Sequence, residues 1–295
     1  MIFLQNLFSR LGVAALWLLH GLPLPLLRGV GWMLGTALFY GGRARRKIAR
    51  TNLRLCFPDK SEAERARLLK RHFTCFAQSL LDRSLLWWAS RERLERLIQL
   101  SGAQHLQRAD GCPTLILAPH FVGLDAGGIA VAFEFSVVSV YSNQKNPVFD
   151  ALFLAGRQRF NAPVLLSRQE GMRRALKAMR QGLPFYYLPD MDFGRKESIF
   201  VPFFGVPAAT ITGVSRLARA TGAKVVPCIA RLTATGYAID LLPPLADFPG
   251  EDIAADTGRI NRFIESQVLT MPEQYYWLHK RFKTRPPGEA KLYSS

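Results

Sequence analysis

At 295 residues, with 49% hydrophobic and 21% charged side chains, the chain has apolar material for one large globular domain or two modest ones, which excludes a disordered protein. A formal charge of +17, from 39 Lys plus Arg against 22 Asp plus Glu, calls for a polyanionic neighbour: nucleic acid, an anionic bilayer or phosphorylated substrates. The four cysteines, Cys56, Cys75, Cys112 and Cys228, are scattered without C-x-x-C spacing, which argues against a disulfide framework or zinc site and fits a reducing compartment.

Residues 1–42 carry few polar side chains, chiefly Gln5, Asn6, Arg10, His20 and Arg28. The apolar run Leu11 to Leu27 is broken by Gly21-Leu-Pro-Leu-Pro25, and Gly29 to Gly42 has no charge. A bilayer core takes about 20 apolar helical residues, so neither half is an ideal span, and residues 11–42 cross once only with a kink. With no basic start and no small-residue cleavage site, a cleaved signal peptide is not expected. The basic cluster Arg43-Ala-Arg45-Arg46-Lys47-Ile-Ala-Arg50 follows, placed by the positive-inside rule on the cytoplasmic side against anionic headgroups. Residues 1–50 are therefore expected to anchor the chain to a membrane, by spanning it or lying in its interface, and 51–295 to form the main domain. The competing reading is a buried helical hairpin with a solvated basic rim.

After the turn signal Phe57-Pro58-Asp59, the capping box Ser61-Glu-Ala-Glu64 opens a helix predicted to run to about Trp88. Phe73, Phe76, Leu80, Leu81, Leu85, Trp87 and Trp88 along it read as core packing, with the lining of an acyl-chain groove as a second use. Arg91 to Arg96 reads as a solvated helical face. From residue 113 apolar runs alternate with helical patterns. Strands are predicted at 114–118, 136–141, 163–166, 184–188, 224–230 and 237–242, and helices at about 123–133, 147–160, 169–181, 210–221 and 253–270. That alternation predicts an α/β fold: a central mixed, largely parallel sheet flanked by helices, preceded by the N-terminal apolar helical segment. The glycines form neither G-x-G-x-x-G nor a P-loop, so a nucleotide fold is disfavoured.

Chemistry concentrates in Leu115-Ile-Leu-Ala-Pro-His120-Phe-Val-Gly-Leu-Asp125. Pro119 cannot continue a sheet ladder, so His120 is expected to project from the carboxyl end of a buried strand, where open α/β sheets bind ligands. On one continuous helix, positions five apart point about 140° away from each other. His120 and Asp125 therefore meet most easily with the histidine on the loop and the aspartate in the first turn of the next helix. Asp125 would then accept a hydrogen bond from one ring nitrogen and fix the tautomer, freeing the other to take a proton from a hydroxyl. This is two thirds of a serine-hydrolase triad with the nucleophile on the substrate. Alone, the spacing more often marks a loop histidine beside a helix-start aspartate. Gly127 and Gly128 leave the turn open to close approach by a ligand or another backbone.

Three further clusters follow. In Gly156-Arg157-Gln-Arg159 the arginines do not share a helix face, so one of them is expected at the site, binding phosphate or an oxyanion, unless it is a surface residue. Pro189-Asp190-Met-Asp192-Phe-Gly-Arg195-Lys196 offers two carboxylates at a strand end and two cations suited to phosphate, while no partner spacing supports a metal site. Val201-Pro-Phe-Phe-Gly205 reads as an apolar loop, an acyl-chain wall or simple packing. The tail Pro272 to Arg285, aromatic then basic, fits a membrane-surface helix or RNA binding by stacking. His279 competes with His120 as a base but sits among cations with no carboxylate spaced to pair with it.

Taken together, Asn52-Leu-Arg-Leu-Cys56-Phe-Pro58, Ala118-Pro-His120 to Asp125, Pro189-Asp190 to Lys196, Phe200-Val-Pro-Phe-Phe-Gly205 and Pro272 to Arg285 resemble the late acyltransferases of lipid A biosynthesis, the lauroyl/myristoyl transferase family. That family lies within the lysophospholipid acyltransferase group marked by H-x4-D/E. The resemblance implies catalysis by His120 and Asp125, and acyl transfer from acyl carrier protein, a co-substrate, to a hydroxyl of a lipid A precursor. No other cofactor and no nucleic acid partner is implied. It further implies a bacterial inner-membrane enzyme with its active site on the cytoplasmic side, in contact with anionic lipid. Substrate binding falls to Arg157, Arg159, Asp190, Asp192, Arg195 and Lys196. The chain departs from the family where many members carry glutamate at Asp125, where some carry arginine after the strand tyrosine (here Tyr141-Ser142-Asn143), and at Met191, commonly polar. An acyltransferase acting on another lysolipid or glycolipid, or a basic membrane-peripheral or RNA-binding protein without catalysis, are the rival readings.

Overall fold

The computed structural model describes residues 2–107, 111–167 and 172–293, with side chains from residue 9 onward. Five helices come first: α1 (Ile2–Leu19), α2 (Leu24–Gly41), α3 (Arg43–Cys56), α4 (Glu62–Trp88) and α5 (Arg91–Leu97). There follow β1 (Ile98–Ser101), β2 (Thr114–Leu117), α6 (Leu124–Glu134), β3 (Val138–Tyr141), α7 (Pro147–Arg157), β4 (Val164–Ser167), α8 (Met172–Arg180) and β5 (Phe185–Tyr187). The chain continues through β6 (Ser198–Phe203), β7 (Val206–Ile211), α9 (Gly213–Thr221), β8 (Lys224–Thr233), β9 (Gly236–Leu241) and α10 (Ile253–Thr270). The expected helix at 169–181 is observed from Met172; positions 169–171 lie outside the described residues.

Seven strands make one sheet in the order β1-β9-β8-β2-β5-β3-β4, parallel at every pair except β8–β9. The predicted mixed, largely parallel sheet flanked by helices is what forms. Alternate residues of β2 face opposite layers, as the two-residue repeat of a strand requires. Leu115 and Leu117 join Met179 of α8, Leu217 of α9 and Ile264 of α10 on one face, while Ile116 joins Leu27 of α2, Leu85 of α4 and Ile129 of α6 on the other. Ser61 accepts from the Glu64 amide and Glu64 returns a bond to the Ser61 amide at 2.7 Å, so the capping box forms and fixes the start of α4.

Two expectations are corrected here. Val201-Pro-Phe-Phe-Gly205 is not an apolar loop but the tip of a β6–β7 hairpin, with Phe204 and Gly205 at φ of 51° and 73° in a two-residue turn of the primed type. Phe203 is fully buried, so its bulk packs the core. Nor is the tail a surface helix. After a short 3-10 turn at Pro272–Gln274 it runs as an irregular strap with Tyr275, Trp277, Leu278, Arg281 and Phe282 all buried. It is held by two distant elements: the Asn52 amide of α3 donates to the carbonyls of Trp277 and His279 at 2.7 Å each, and the Gln274 side chain clamps both backbone polar groups of Leu232 in β8. With their rings spent on packing, Tyr275 and Trp277 offer no face for stacking bases.

The apolar N-terminal stretch breaks at Gly21–Pro23 into α1 and α2, both against α4. Among the described residues no helix is long and apolar enough to cross a membrane. α2 approaches α4 through Leu27, Gly31 and Gly35. A Cβ at Gly35 would sit 2.7 Å from Thr74 Cα and 2.8 Å from the Phe73 carbonyl, backbone atoms that cannot swing aside. Gly35→Val is therefore expected to destabilise by about 1–3 kcal/mol through overpacking, read as a lowered melting temperature. Seven of the ten exposed large hydrophobic side chains among the described residues lie in α1 and α2, with Leu26, Met33 and Tyr40 at seven-residue intervals down one stripe.

His72 of α4 is fully buried and its Nδ1 donates to the Glu273 carbonyl at 2.9 Å, tying α4 to the strap. Burial lowers its pKa to about 4, against 6.5 for a free histidine. Between those values the unfolded chain binds the extra proton, so stability falls as pH drops from about 6.5 toward 4, by up to about 1.4 kcal/mol per pH unit for each such histidine. His72→Gln is expected to flatten the decline of melting temperature over that window; an unchanged slope would assign it elsewhere.

Candidate active site

β2 and β5 are neighbours, parallel, with Leu117 opposite Tyr187. Each strand then leaves the sheet by the same device, one residue and a proline: Ala118-Pro119-His120 beside Leu188-Pro189-Asp190. Proline stops the ladder, and equal offsets from paired residues bring His120 and Asp190 to the same level of the carboxyl edge. His120 Nδ1 lies 2.6 Å from Asp190 Oδ1, and the His120 amide donates to Asp190 Oδ2 at 2.9 Å. The His120 carbonyl accepts from the Tyr276 amide at 2.9 Å, so the strap braces the loop from behind.

Asp190 is only 2% exposed. Burial by itself raises its pKa, but the attraction of His120, its two hydrogen bonds and the more distant Arg281 outweigh that, and the carboxyl is held below its ordinary range. An ionised carboxylate can only accept, so Nδ1 carries a proton, and in the neutral ring the lone pair sits on Nε2. Nε2 has no hydrogen-bond partner among the described residues, and His120 lines a cleft of about 1170 Å³.

The imidazole is thus held by Asp190, not by Asp125 as the spacing suggested. Asp125 does stand in the first turn of α6, as expected, and lines the same cleft. Its Oδ2 accepts from Arg83 Nε at 2.8 Å and its Oδ1 faces an Arg157 nitrogen at 3.5 Å. Burial raises the Asp125 pKa, the two guanidiniums lower it by more, and the carboxylate stays charged. The Phe153 ring packs under both cations, 5.4 Å from Arg83 and 5.9 Å from Arg157. The pair carries a positive charge beyond the one Asp125 neutralises, at the wall of the cleft that His120 also lines.

The other predicted residues separate cleanly. Arg157 faces the cleft, whereas Arg159 turns away and donates to the carbonyls of Leu86 and Ala89 at 2.6 Å each, satisfying the end of α4. Asp192 is a loop staple: it accepts from the Thr284 amide at 2.7 Å, the Thr284 hydroxyl at 2.8 Å and the Gly194 amide at 3.0 Å. Arg195 donates to the Arg285 carbonyl at 2.9 Å, and Lys196 is exposed away from the cleft lining. Neither is drawn to His120. His279 Nε2 accepts from the Asp192 amide at 3.0 Å, and burial followed by Arg281 and His120 pushes its pKa to about 4, so it stays neutral with that lone pair occupied. Gly127 makes its close approach to the Tyr186 hydroxyl, and Gly128 to nothing. Arg83 was missed from sequence. Its signal is the Asp82-Arg83 pair inside an otherwise apolar stretch of α4. Of the α4 aromatics, Phe76 lines the cleft while Phe73 and Trp87 are core.

Besides His120 the cleft is lined by the apolar side chains of Val140, Phe185, Leu176 of α8 and Leu217 of α9. A family model described as bacterial lipid A biosynthesis acyltransferase matches residues 3–284. The chain belongs to that family. The Lipid A biosynthesis lauroyltransferase of Escherichia coli (strain K12) is 34% identical over 288 residues, covering 96% of this chain and 94% of its own. The palmitoleoyltransferase of lipid A biosynthesis from the same organism is 31% identical over 287 residues, 96% of this chain and 93% of its own. Among solved structures, the 1-acyl-sn-glycerophosphate acyltransferase of Thermotoga maritima aligns with 85% of this chain and 97% of its own at 13% identity and a TM-score of 0.37, a likeness too slight to argue from. Membership makes this chain an acyltransferase of lipid A biosynthesis.

Proposed function

We propose that the protein transfers a fatty acyl group from the thioester of acyl carrier protein to a free hydroxyl on an acyl chain of a lipid A precursor, at the cytoplasmic face of the bacterial inner membrane. The observation that carries this reading is a histidine with Nε2 open to a large cleft of mixed apolar and cationic lining and Nδ1 fixed by a buried, ionised carboxylate. A cleft of about 1170 Å³ exceeds the roughly 300–1,000 Å³ that encloses a drug-sized molecule, leaving room for an acyl chain beside a larger lipid.

Nε2 of His120 takes the proton of the acceptor hydroxyl as its oxygen attacks the thioester carbonyl. Asp190 positions the ring and stabilises the imidazolium. Arg157, with Arg83 behind the shared Asp125, lies on the side where the tetrahedral oxyanion gathers charge. Collapse of that intermediate forms the ester and breaks the carbon–sulfur bond, and the imidazolium returns its proton to the departing thiolate. In this scheme Asp125 serves the reaction by holding two guanidiniums at the cleft. Two stretches of the chain suit a bilayer surface: the exposed apolar stripe of α1 and α2, and the exposed Arg43, Arg45, Lys47 and Arg50 of α3. Residues 1–50 then act as the anchor and 51–295 as the acyltransferase domain.

The test is reconstitution of the purified full chain with lauroyl- or palmitoleoyl-loaded acyl carrier protein and a lipid A precursor, followed by mass spectrometry of the lipid. A product heavier by one acyl group is expected. Acylation of a lysophospholipid with none of the precursor would move the protein to the other acceptor class.

A further inference from the structure

α8 and α9 lie side by side on the sheet face shared with α10, opposite the face that carries α2. Their sequences, MRRALKAMR and GVSRLARAT, hold six arginines and lysines and no acidic residue. Arg219 is engaged by the carbonyls of Gly250 and Glu251 at 2.6 and 3.0 Å. Arg173, Lys177 and Arg180 are exposed, form no ion pair with a described residue, and fall at i, i+4 and i+7, one stripe about 10 Å long. The adjoining stripe of α8, Met172 and Leu176, lines the cleft together with Leu217 and Ala220 of α9, and Arg216 stands on its rim. Apolar side chains of the two helices, with cations at their margin, thus line the same cleft as His120.

We propose that this α8–α9 margin is where the acyl donor docks: an acidic carrier protein that feeds its acyl chain between the two helices, while the lipid acceptor reaches His120 from the α4 side. The inference rests on the acyl-transfer reading above. Two observations select a protein. α8 and α9 expose a single large apolar side chain, Met172 in the cleft lining, so they lack the greasy face of a bilayer-binding helix. The three cations are also strung along an open helix and do not converge as they would on one phosphate, which suits a spread of carboxylates on a partner. Donor and acceptor then enter one cleft from different sides and meet at the carboxyl edge of the sheet.

The test compares the full chain with its Arg173→Glu, Lys177→Glu, Arg180→Glu triple variant, using labelled acyl carrier protein and, separately, vesicles containing phosphatidylglycerol. Weaker carrier binding is expected, with KM for the carrier-bound donor raised about tenfold or more, kcat at saturating donor unchanged and vesicle binding intact. Arg173→Lys with Arg180→Lys keeps the charge and is expected to keep KM, which separates docking from damage to α8. An unchanged KM in the triple variant overturns the proposal and leaves the acyl-transfer reading standing. Loss of vesicle binding with carrier binding intact also overturns it, making the margin a lipid surface. If the unsubstituted protein neither binds nor uses the carrier, the reading of the reaction falls and the docking surface with it.

Discussion

His120→Ala is expected to lower turnover by at least about a hundredfold while the protein still folds and binds vesicles, because general-base catalysis contributes typically 10²- to 10⁴-fold. The replacement trims a partly exposed side chain at the sheet edge, and the His120 backbone stays tied to Asp190 Oδ2 and to the Tyr276 amide. The measurement is steady-state transfer by purified variant alongside a melting curve. Near-normal turnover in a folded variant would sink the base assignment.

Asp190→Asn carries the second large effect, and it separates the two carboxylates. Both oxygens of Asp190 accept, one from the ring Nδ1 and one from the His120 amide. Asparagine offers one acceptor and one amine, so one contact must be lost whichever way the amide turns. If the amine faces Nδ1, the proton moves to Nε2 and the lone pair needed by the acceptor hydroxyl disappears. If it faces the backbone amide, two donors collide in a buried site. A loss of at least about a hundredfold is expected, as for other histidine bases deprived of their orienting carboxylate. Nitrogen NMR of the labelled imidazole should show the proton shifting from Nδ1 toward Nε2 in the first case. Asp125→Asn, which keeps an acceptor for Arg83, is expected to cost less, about tenfold, with the ring tautomer unchanged. The reverse ranking would return the orienting role to Asp125.

The sheet was legible because its strands are short apolar runs punctuated by proline and glycine, and those between 114 and 242 fall where the pattern put them. The site was legible in part. His120 and Asp125 stand where chain-local reasoning put them, on the loop and in the first turn of the next helix. Their partners are a different matter, since they depend on which strands become neighbours. The spacing of His120 to Asp125 is visible in one line of sequence, whereas that of His120 to Asp190 exists only once β2 lies beside β5. The repeated strand-x-Pro-polar pattern at 117–120 and 187–190 was the trace of it. Arg159 and Asp192 looked like substrate-binding residues because they are charged and lie near strand ends, yet each completes the hydrogen bonding of nearby backbone. β1 was missed because Ile98–Ser101 is half polar and lies at the sheet edge. The tail was misread because an aromatic-basic string looks the same whether it packs inward or faces lipid; burial of Arg281, bonded to the Ala209 carbonyl and the Thr210 hydroxyl at 2.8 Å each, decides it.

The brace behind the His120 loop comes from residues 274–276, which leave the ribosome after every other group that touches the cleft. A growing chain can therefore form its sheet and settle its amphipathic helices while the imidazole still lacks its support.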